Sequence, residues 1–192
     1  MRVVQTVSNS LSRMSSGPVA LAGVLIFLLF GALVLPRQAA AAERVAGDAG
    51  SPDTSLLYSW ADLVRQAEAY GEEGRAAYVR ARWTFDLIFP LVYGFFLLTS
   101  ISWLMRWSLA ADSPWHRSNL VPLFAVAFDF LENTATSWVM SRYPAETPIA
   151  ALAAPLFTLS KWLFVYGSFG VLAVAALVAI LQAHRRKLRA SG

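Results

Sequence analysis

Asp129, Glu132 and Asn133 stand at i, i+3 and i+4 within an otherwise apolar stretch. On a helix that spacing gathers two carboxylates and an amide on one face. Such a set can hold a proton, an ion or the polar headgroup of a lipid. Ionisable groups in an apolar span are costly and usually face partners or a water-filled cavity. A second string, Arg75, Tyr78, Arg82, Asp86 and Tyr93, is spaced by 3, 4, 4 and 7 and also shares one helical face. Two readings of this stripe stay open. Arg82 and Asp86 form an ordinary i,i+4 pair on an exposed helix end, or the stripe carries polar groups into a membrane, because Asp86 and Tyr93 lie deeper than an interface requires. Pro90 lies on the same stripe and should bend the helix, freeing carbonyls nearby.

Three functions compete for these residues. The first is a binding or transport-related membrane protein that holds a proton, ion or lipid headgroup. The second is a membrane-embedded enzyme on a lipid-like substrate, with Asp129 or Glu132 as acid/base and Lys161 as electrostatic stabiliser. The third is a structural or assembly subunit whose charges are interhelical glue, worth about 0.6–2 kcal/mol per contact. No recognisable catalytic motif decides between them. Cysteine is absent, which excludes disulfides, thiolate nucleophiles and cysteine-ligated metals. His116 and His184 have no second ligand at a metal-like spacing, so no metal and no other cofactor is expected.

The elements that must carry these residues are apolar helices. Of 192 residues, 57% are apolar and 15% charged, against about 45–50% and 25% in soluble domains. A bilayer core about 30 Å thick needs roughly 20 helical residues. Uncharged runs cover residues 19–35, 87–105 and 162–183, and a fourth apolar run, 120–140, is interrupted by Asp129 and Glu132. Those two acids oppose insertion by roughly 5–7 kcal/mol, whereas each Leu, Ile, Phe or Val returns only about 0.3–0.6 kcal/mol. That helix should insert only with its polar face covered.

The expected fold is therefore all-α: a polytopic membrane four-helix bundle with an extra short amphipathic extracytoplasmic helix. Its segments are an N-terminal tail (1–17), spans at 18–36, 83–106, 119–141 and 149–184, an extracytoplasmic segment (37–82), a cytoplasmic loop (107–118), an extracytoplasmic loop (142–148) and a basic tail (185–192). Arg2, Arg13, Arg106, Arg117, Arg185, Arg186, Lys187 and Arg189 fall on one side, which the positive-inside rule makes cytoplasmic for both termini. Trp103, Trp107 and Trp115 suit the inner interface, and Trp83 and Trp138 the outer one. The net charge of +4 sits beside apolar blocks, so anionic lipid headgroups at the cytoplasmic face, not nucleic acid, are the expected partner. Fourteen of the sixteen basic residues are Arg, which together with abundant Ala points to a GC-rich bacterial genome and an inner membrane. Four helices make a small transporter unless copies assemble, so a homo-oligomer is open.

The first block has rival readings. Small residues at 38–43 resemble a signal-peptidase site after an apolar core, and the Ser-rich leader with two Arg leaves a transit peptide as a remote third option. Residues 39–50 read as a flexible connector. Ser51, Pro52, Asp53 and Thr54 offer helix-start chemistry, and Leu56, Leu57, Trp60, Val64 and Ala67 recur at helical spacing. These predict an amphipathic helix over about 54–70 at the outer surface or against the bundle. Gly71 to Gly74 should break it, and from Arg75 the helical pattern runs into the second block.

The short loop after the third block sets depth. Positions equidistant from Ala145 lie at one level, which puts Glu132 opposite residues 158–161. The same reasoning about Asp112 brings Tyr93 to Glu132, with Asp129 a turn deeper and Asp86 two turns further out, near Arg142. Trp162 gives Lys161 a competing role, as a snorkelling interfacial residue.

In combination, Gly71-x-x-Gly-Arg-x-x-Tyr78, Asp86-x-x-Phe-Pro-x-x-Tyr93, Asp129-x-x-Glu-Asn133 and Thr158-x-x-Lys-Trp162 are similar to small bacterial multi-span membrane proteins of unassigned function. That resemblance covers residues 54–170 and implies the four-span fold without an activity or catalytic residues.

Overall fold

A computed structural model describes residues 2–52 and 55–190, with backbone only at Arg2. Among them the chain is all-helical with no strand: α1 (Arg2–Met14), α2 (Gly17–Leu33), α3 (Leu35–Ala46), α4 (Trp60–Ala69), α5 (Gly71–Arg82), α6 (Phe85–Ser108), α7 (Val121–Arg142) and α8 (Pro148–Ala190). α5 and α6 continue as one helical run, Gly71–Ser108, with only the turn at Trp83 and Thr84 between them.

Two helical runs are long and apolar enough to cross a membrane, Gly71–Ser108 and Pro148–Ala190, or three if α1 and α2, bent by 85° at their junction, count as one broken span. That is fewer than the four spans expected from the sequence, and the reasons are physical. At 1.5 Å per residue the 17 residues of α2 reach only about 26 Å. α7 carries Asp129 and Glu132 in its middle. α8, with 43 residues, reaches about 65 Å and continues through most of the basic tail.

The stretch around 39–50 is largely helix rather than flexible connector. Its alanines, the best helix formers, extend α3 to Ala46, and a single 3-10 turn, Gly47–Ala49, follows. The next helix starts later than expected. Asp53 and Thr54 lie outside the described residues, and Leu56 and Leu57 precede α4. The N-cap is Ser59: its hydroxyl accepts from the Asp62 amide while the Asp62 carboxylate accepts from the Ser59 amide, a capping box. With that start, the buried face is Leu63, Gln66, Ala67 and Tyr70 instead of the stripe that began at Leu56. The break between α4 and α5 is short: Tyr70 separates them, and Gly71, the first residue of α5, turns the chain at φ +63°, where a side chain would be strained. Gly74 lies inside the helix.

The chain packs as two compact units. The first takes the N-terminal residues through Phe27, Val92–Leu123, and Phe164 onward. Phe27, Phe96 and Phe169 from three helices meet there, the first two stacked with centroids 4.6 Å apart. α2 comes so close to α6 that a Cβ on Gly23 would lie 2.9 Å from Thr99 Oγ1 and 3.2 Å from the Phe96 Cα. The second unit takes Leu28–Leu91 and Phe124–Leu163. Its core is Leu63, Ala67, Tyr70, Tyr78, Ala135, Val139, Met140, Ala151 and Ala154, so α4 packs into this core.

Two predictions follow from these contacts. Gly23→Ala should lower stability by about 1–3 kcal/mol, the usual effect of overpacking, whereas Gly31→Ala, with nothing within 4 Å of its added carbon, should not; thermal unfolding in detergent compares them. The hydrogen bonds of Ser59 hold the Asp62 carboxyl below its ordinary value. A depressed folded value stabilises above the unfolded one, about pH 4, and the contribution is lost as pH falls toward the folded value. Protection factors of amides in the first turn of α4, with the intrinsic pH dependence of exchange divided out, should therefore fall on acidification, and much less so in Asp62→Asn.

Candidate functional site

The polar face of α7 is turned inward, in the second unit. Asp129, Glu132, Asn133, Thr136 and Ser137 are buried, while Phe124, Leu131 and Trp138 are exposed. Glu132 is completely buried, and Lys161 from α8, 8% exposed at its side chain, is its ion-pair partner. One turn before Lys161, Thr158 Oγ1 donates to Glu132 Oε1 at 2.8 Å. Thr158 and Lys161 are the two ends of the segment that loop geometry set opposite Glu132. Trp162 also meets Lys161, its ring centroid 5.3 Å from Nζ, without drawing the ammonium to the surface.

Tyr58 completes the arrangement. It lies in the non-helical segment ahead of α4, is half-buried, and its hydroxyl is 2.9 Å from Thr158 Oγ1. An ionised carboxylate can only accept. With Glu132 ionised against Lys161, the Thr158 proton points at Glu132 or, as an alternative at 3.0 Å, at the Ala154 carbonyl. When it points at Glu132, Tyr58 is left as the donor to Thr158 and the line Tyr58–Thr158–Glu132–Lys161 is continuous; when it points at Ala154, the link from Thr158 to Glu132 is open. Sequence reasoning missed Tyr58, because nothing local marks a residue that reaches its partner across 100 positions.

A second ion pair lies in the same unit. Arg82 Nη2 is 2.8 Å from Asp86 Oδ2, and the two side chains are only 9% and 12% exposed. The i,i+4 pair is therefore real but buried, not a solvated helix end. Arg82 also stacks over the Tyr78 ring at 4.7 Å. Asn133 Nδ2 donates to the Asp86 carbonyl at 3.1 Å and to Asp129 Oδ1 at 3.4 Å. Asp86 is thus beside Asn133, one residue along from Glu132, and not two turns further out near Arg142. The level was misjudged because it was counted across the long 107–118 loop, whose 3-10 turn Pro114–Leu120 shifts the register.

The string from Arg75 to Tyr93 divides. Arg75 donates to the Ala67 carbonyl at 2.9 Å, stacks over Tyr143 at 4.9 Å, and lines a groove of about 720 Å³ with Arg80, Trp83 and Tyr143. None of Asp86, Asp129, Glu132 or Lys161 lines that groove. Tyr93 is buried and belongs to the first unit. Among the described residues no group of three His, Asp or Glu is placed to hold a metal ion.

Desolvating two charges costs several kcal/mol per ion, and leaving one of them unmatched typically destabilises by about 3–5 kcal/mol. Lys161→Met should therefore lower the stability of the purified protein by that amount in reversible unfolding, and adding Glu132→Gln should restore much of the loss. A single variant as stable as the parent would mean that the pair is hydrated.

The chain was compared with protein-family models, curated proteins and solved structures, and nothing matches it.

Proposed function

We propose that this is an integral membrane protein in which the Glu132–Lys161 pair forms a buried proton site reached through Tyr58 and Thr158. Its membrane character is supported by an inside-out distribution of polarity. α7 buries its acids and hydroxyls and exposes Phe124, Leu131 and Trp138. The most apolar stretch of α8 is only 17% buried, leaving Leu163, Val174, Leu177 and Ile180 bare. In water such a surface would aggregate, whereas in lipid it is solvated. With its charges matched internally, α7 can cross alongside α2, α6 and α8 as the fourth helix of a bundle. The basic residues then put both termini on the cytoplasmic side, as in a bacterial inner membrane.

The observation that carries the proton reading is the line of hydroxyl contacts from half-buried Tyr58 through Thr158 to fully buried Glu132. Arg82 keeps its charge in any protein setting, so its pair with Asp86 is fixed. A Lys–Glu pair also exists as neutral amine and acid, and the two forms differ by the position of one proton. Hydroxyls on the far side of Glu132 supply a route by which a proton arrives or leaves. A second reading, charge pairs as interhelical glue, is favoured by the same pairing of both carboxylates, but it gives Tyr58 no role in proton exchange.

Infrared difference spectroscopy after a pH step separates the two. The parent protein should give a carboxyl signal that disappears in Glu132→Gln. Tyr58→Phe, which keeps the ring and removes the donor, should keep the signal but slow its appearance several-fold. Glue alone predicts that Tyr58→Phe titrates as fast as the parent, and that outcome ends the relay.

A further inference from the structure

α1 inverts the usual logic of a surface helix. Its protein-facing side is serine: Ser8 and Ser12 are buried, as is Ser15 just after its end. Asn119, itself fully buried, holds that side. Its Nδ2 lies 3.1 Å from the Ser8 carbonyl, 3.1 Å from Ser12 Oγ and 2.9 Å from Ser102 Oγ, and its Oδ1 accepts from Ser8 Oγ at 2.9 Å. Ser8 Oγ is also 3.1 Å from the His116 carbonyl. Arg106 Nη1 donates to the Ser12 carbonyl at 2.8 Å, near the C-terminal end of the helix, and Arg117 Nε donates to Gln5 Oε1. The helix is clamped by polar contacts, with Leu11 half-buried beside them.

The valines and methionine are left outside. Val3, Val4, Val7 and Met14 are 76%, 48%, 41% and 73% exposed, and so are Thr6, Asn9, Ser10 and Arg13. These two sets do not mix. At about 100° per residue, counted from Ser8, the apolar four occupy an arc of roughly 220–320° and the polar four roughly 100–200°. α1 therefore has three edges: one to the protein, one apolar and one polar. Sorting of exposed residues onto two edges is what a boundary between two solvents selects.

Three further features identify the boundary. α1 meets α2, an uninterrupted apolar helix with Leu21 and Leu25 exposed, at 85°, so if α2 stands in a bilayer, α1 lies in its plane. Trp103, Trp107 and Trp115, all in the same unit, are exposed, and exposed tryptophans concentrate at headgroup level. Arg13 stands on the polar edge and offers a cation to anionic headgroups.

We propose that α1 is an interfacial helix lying in the bilayer surface, with Val3, Val4, Val7 and Met14 turned to the acyl chains and Asn9 and Arg13 to the headgroups and water. This inference rests on the membrane reading above but not on the proton site. The protein is cysteine-free, so single cysteines can be placed at will. Val7→Cys, Met14→Cys, Asn9→Cys and Arg13→Cys, with Ile180→Cys on α8 as reference, would be spin-labelled and reconstituted in phosphatidylcholine/phosphatidylglycerol vesicles. Accessibility to oxygen, which partitions into lipid, would be compared with accessibility to a water-soluble nickel chelate. The oxygen-to-nickel ratio should be several-fold higher at Val7 and Met14 than at Asn9 and Arg13, with Ile180 highest. Equal, water-like ratios at all four sites with a lipid-like Ile180 overturn the interfacial helix and leave the membrane reading standing. Lipid-like ratios at all four overturn it in favour of a re-entrant segment. Spin–spin coupling between labels at Val7 overturns it in favour of a second copy of the chain. A water-like Ile180 overturns both readings.

Discussion

Glu132 is fully buried, and a carboxylate in that position persists only where a cation and a donor are supplied from nearby. Lys161 and Thr158 supply them from one turn of α8. The rest of the second unit is arranged so that this is possible. Ala135 and Val139 on α7 and Ala151 and Ala154 on α8 form a shared small-residue core. Small side chains let helix backbones approach closely, and that approach brings a lysine within reach of a glutamate on the facing helix. α4 closes the core with Leu63 and Ala67. The segment entering α4 carries Tyr58 to Thr158, and the capping box at Ser59 fixes the turn that follows it.

What could be read from the residues in advance was whatever repeats with a helical period or is tied by a short connection. The polar face of α7 followed from i, i+3, i+4 spacing alone. The meeting of Glu132 with Thr158 and Lys161 followed from the short 142–148 loop, since two antiparallel helices joined closely must keep equal depth. Where the connection was long, the same geometry failed. Asp86 came out beside Asn133 because the 107–118 loop contains its own turn, which no count of residues anticipates.

Other features had no sequence signal of the kind sought. An amphipathic pattern marks a buried face by its apolar residues, and α1 buries its serines. It therefore read as a tail. α3 was hidden differently: a run of small residues looked like a connector or a processing site, although four consecutive alanines favour helix. The start of α4 was displaced because Ser51 and Thr54 offered the same capping chemistry as Ser59. Only Ser59 has an acid three residues on that can return the bond, which is the fuller signature.

The two units solve one problem with different chemistry. In each, buried polar side chains sit beside an apolar core and require internal partners. In the first unit the partners around Asn119 are serine hydroxyls and backbone carbonyls, with Arg106 and Arg117 adding donors to α1 and no buried carboxylate among them. In the second they are charged, and they are charged unequally. Arg82 gives Asp86 a permanent counterion, whereas Lys161 gives Glu132 one that can surrender its proton. A bundle that needed only cohesion would be served by the neutral kind, which avoids desolvating ions, or by arginine, whose charge is fixed. Placing a lysine against a glutamate, with two hydroxyls leading outward, adds nothing to cohesion that those alternatives lack. It adds a second protonation state, and that is the property the proton reading assigns to it.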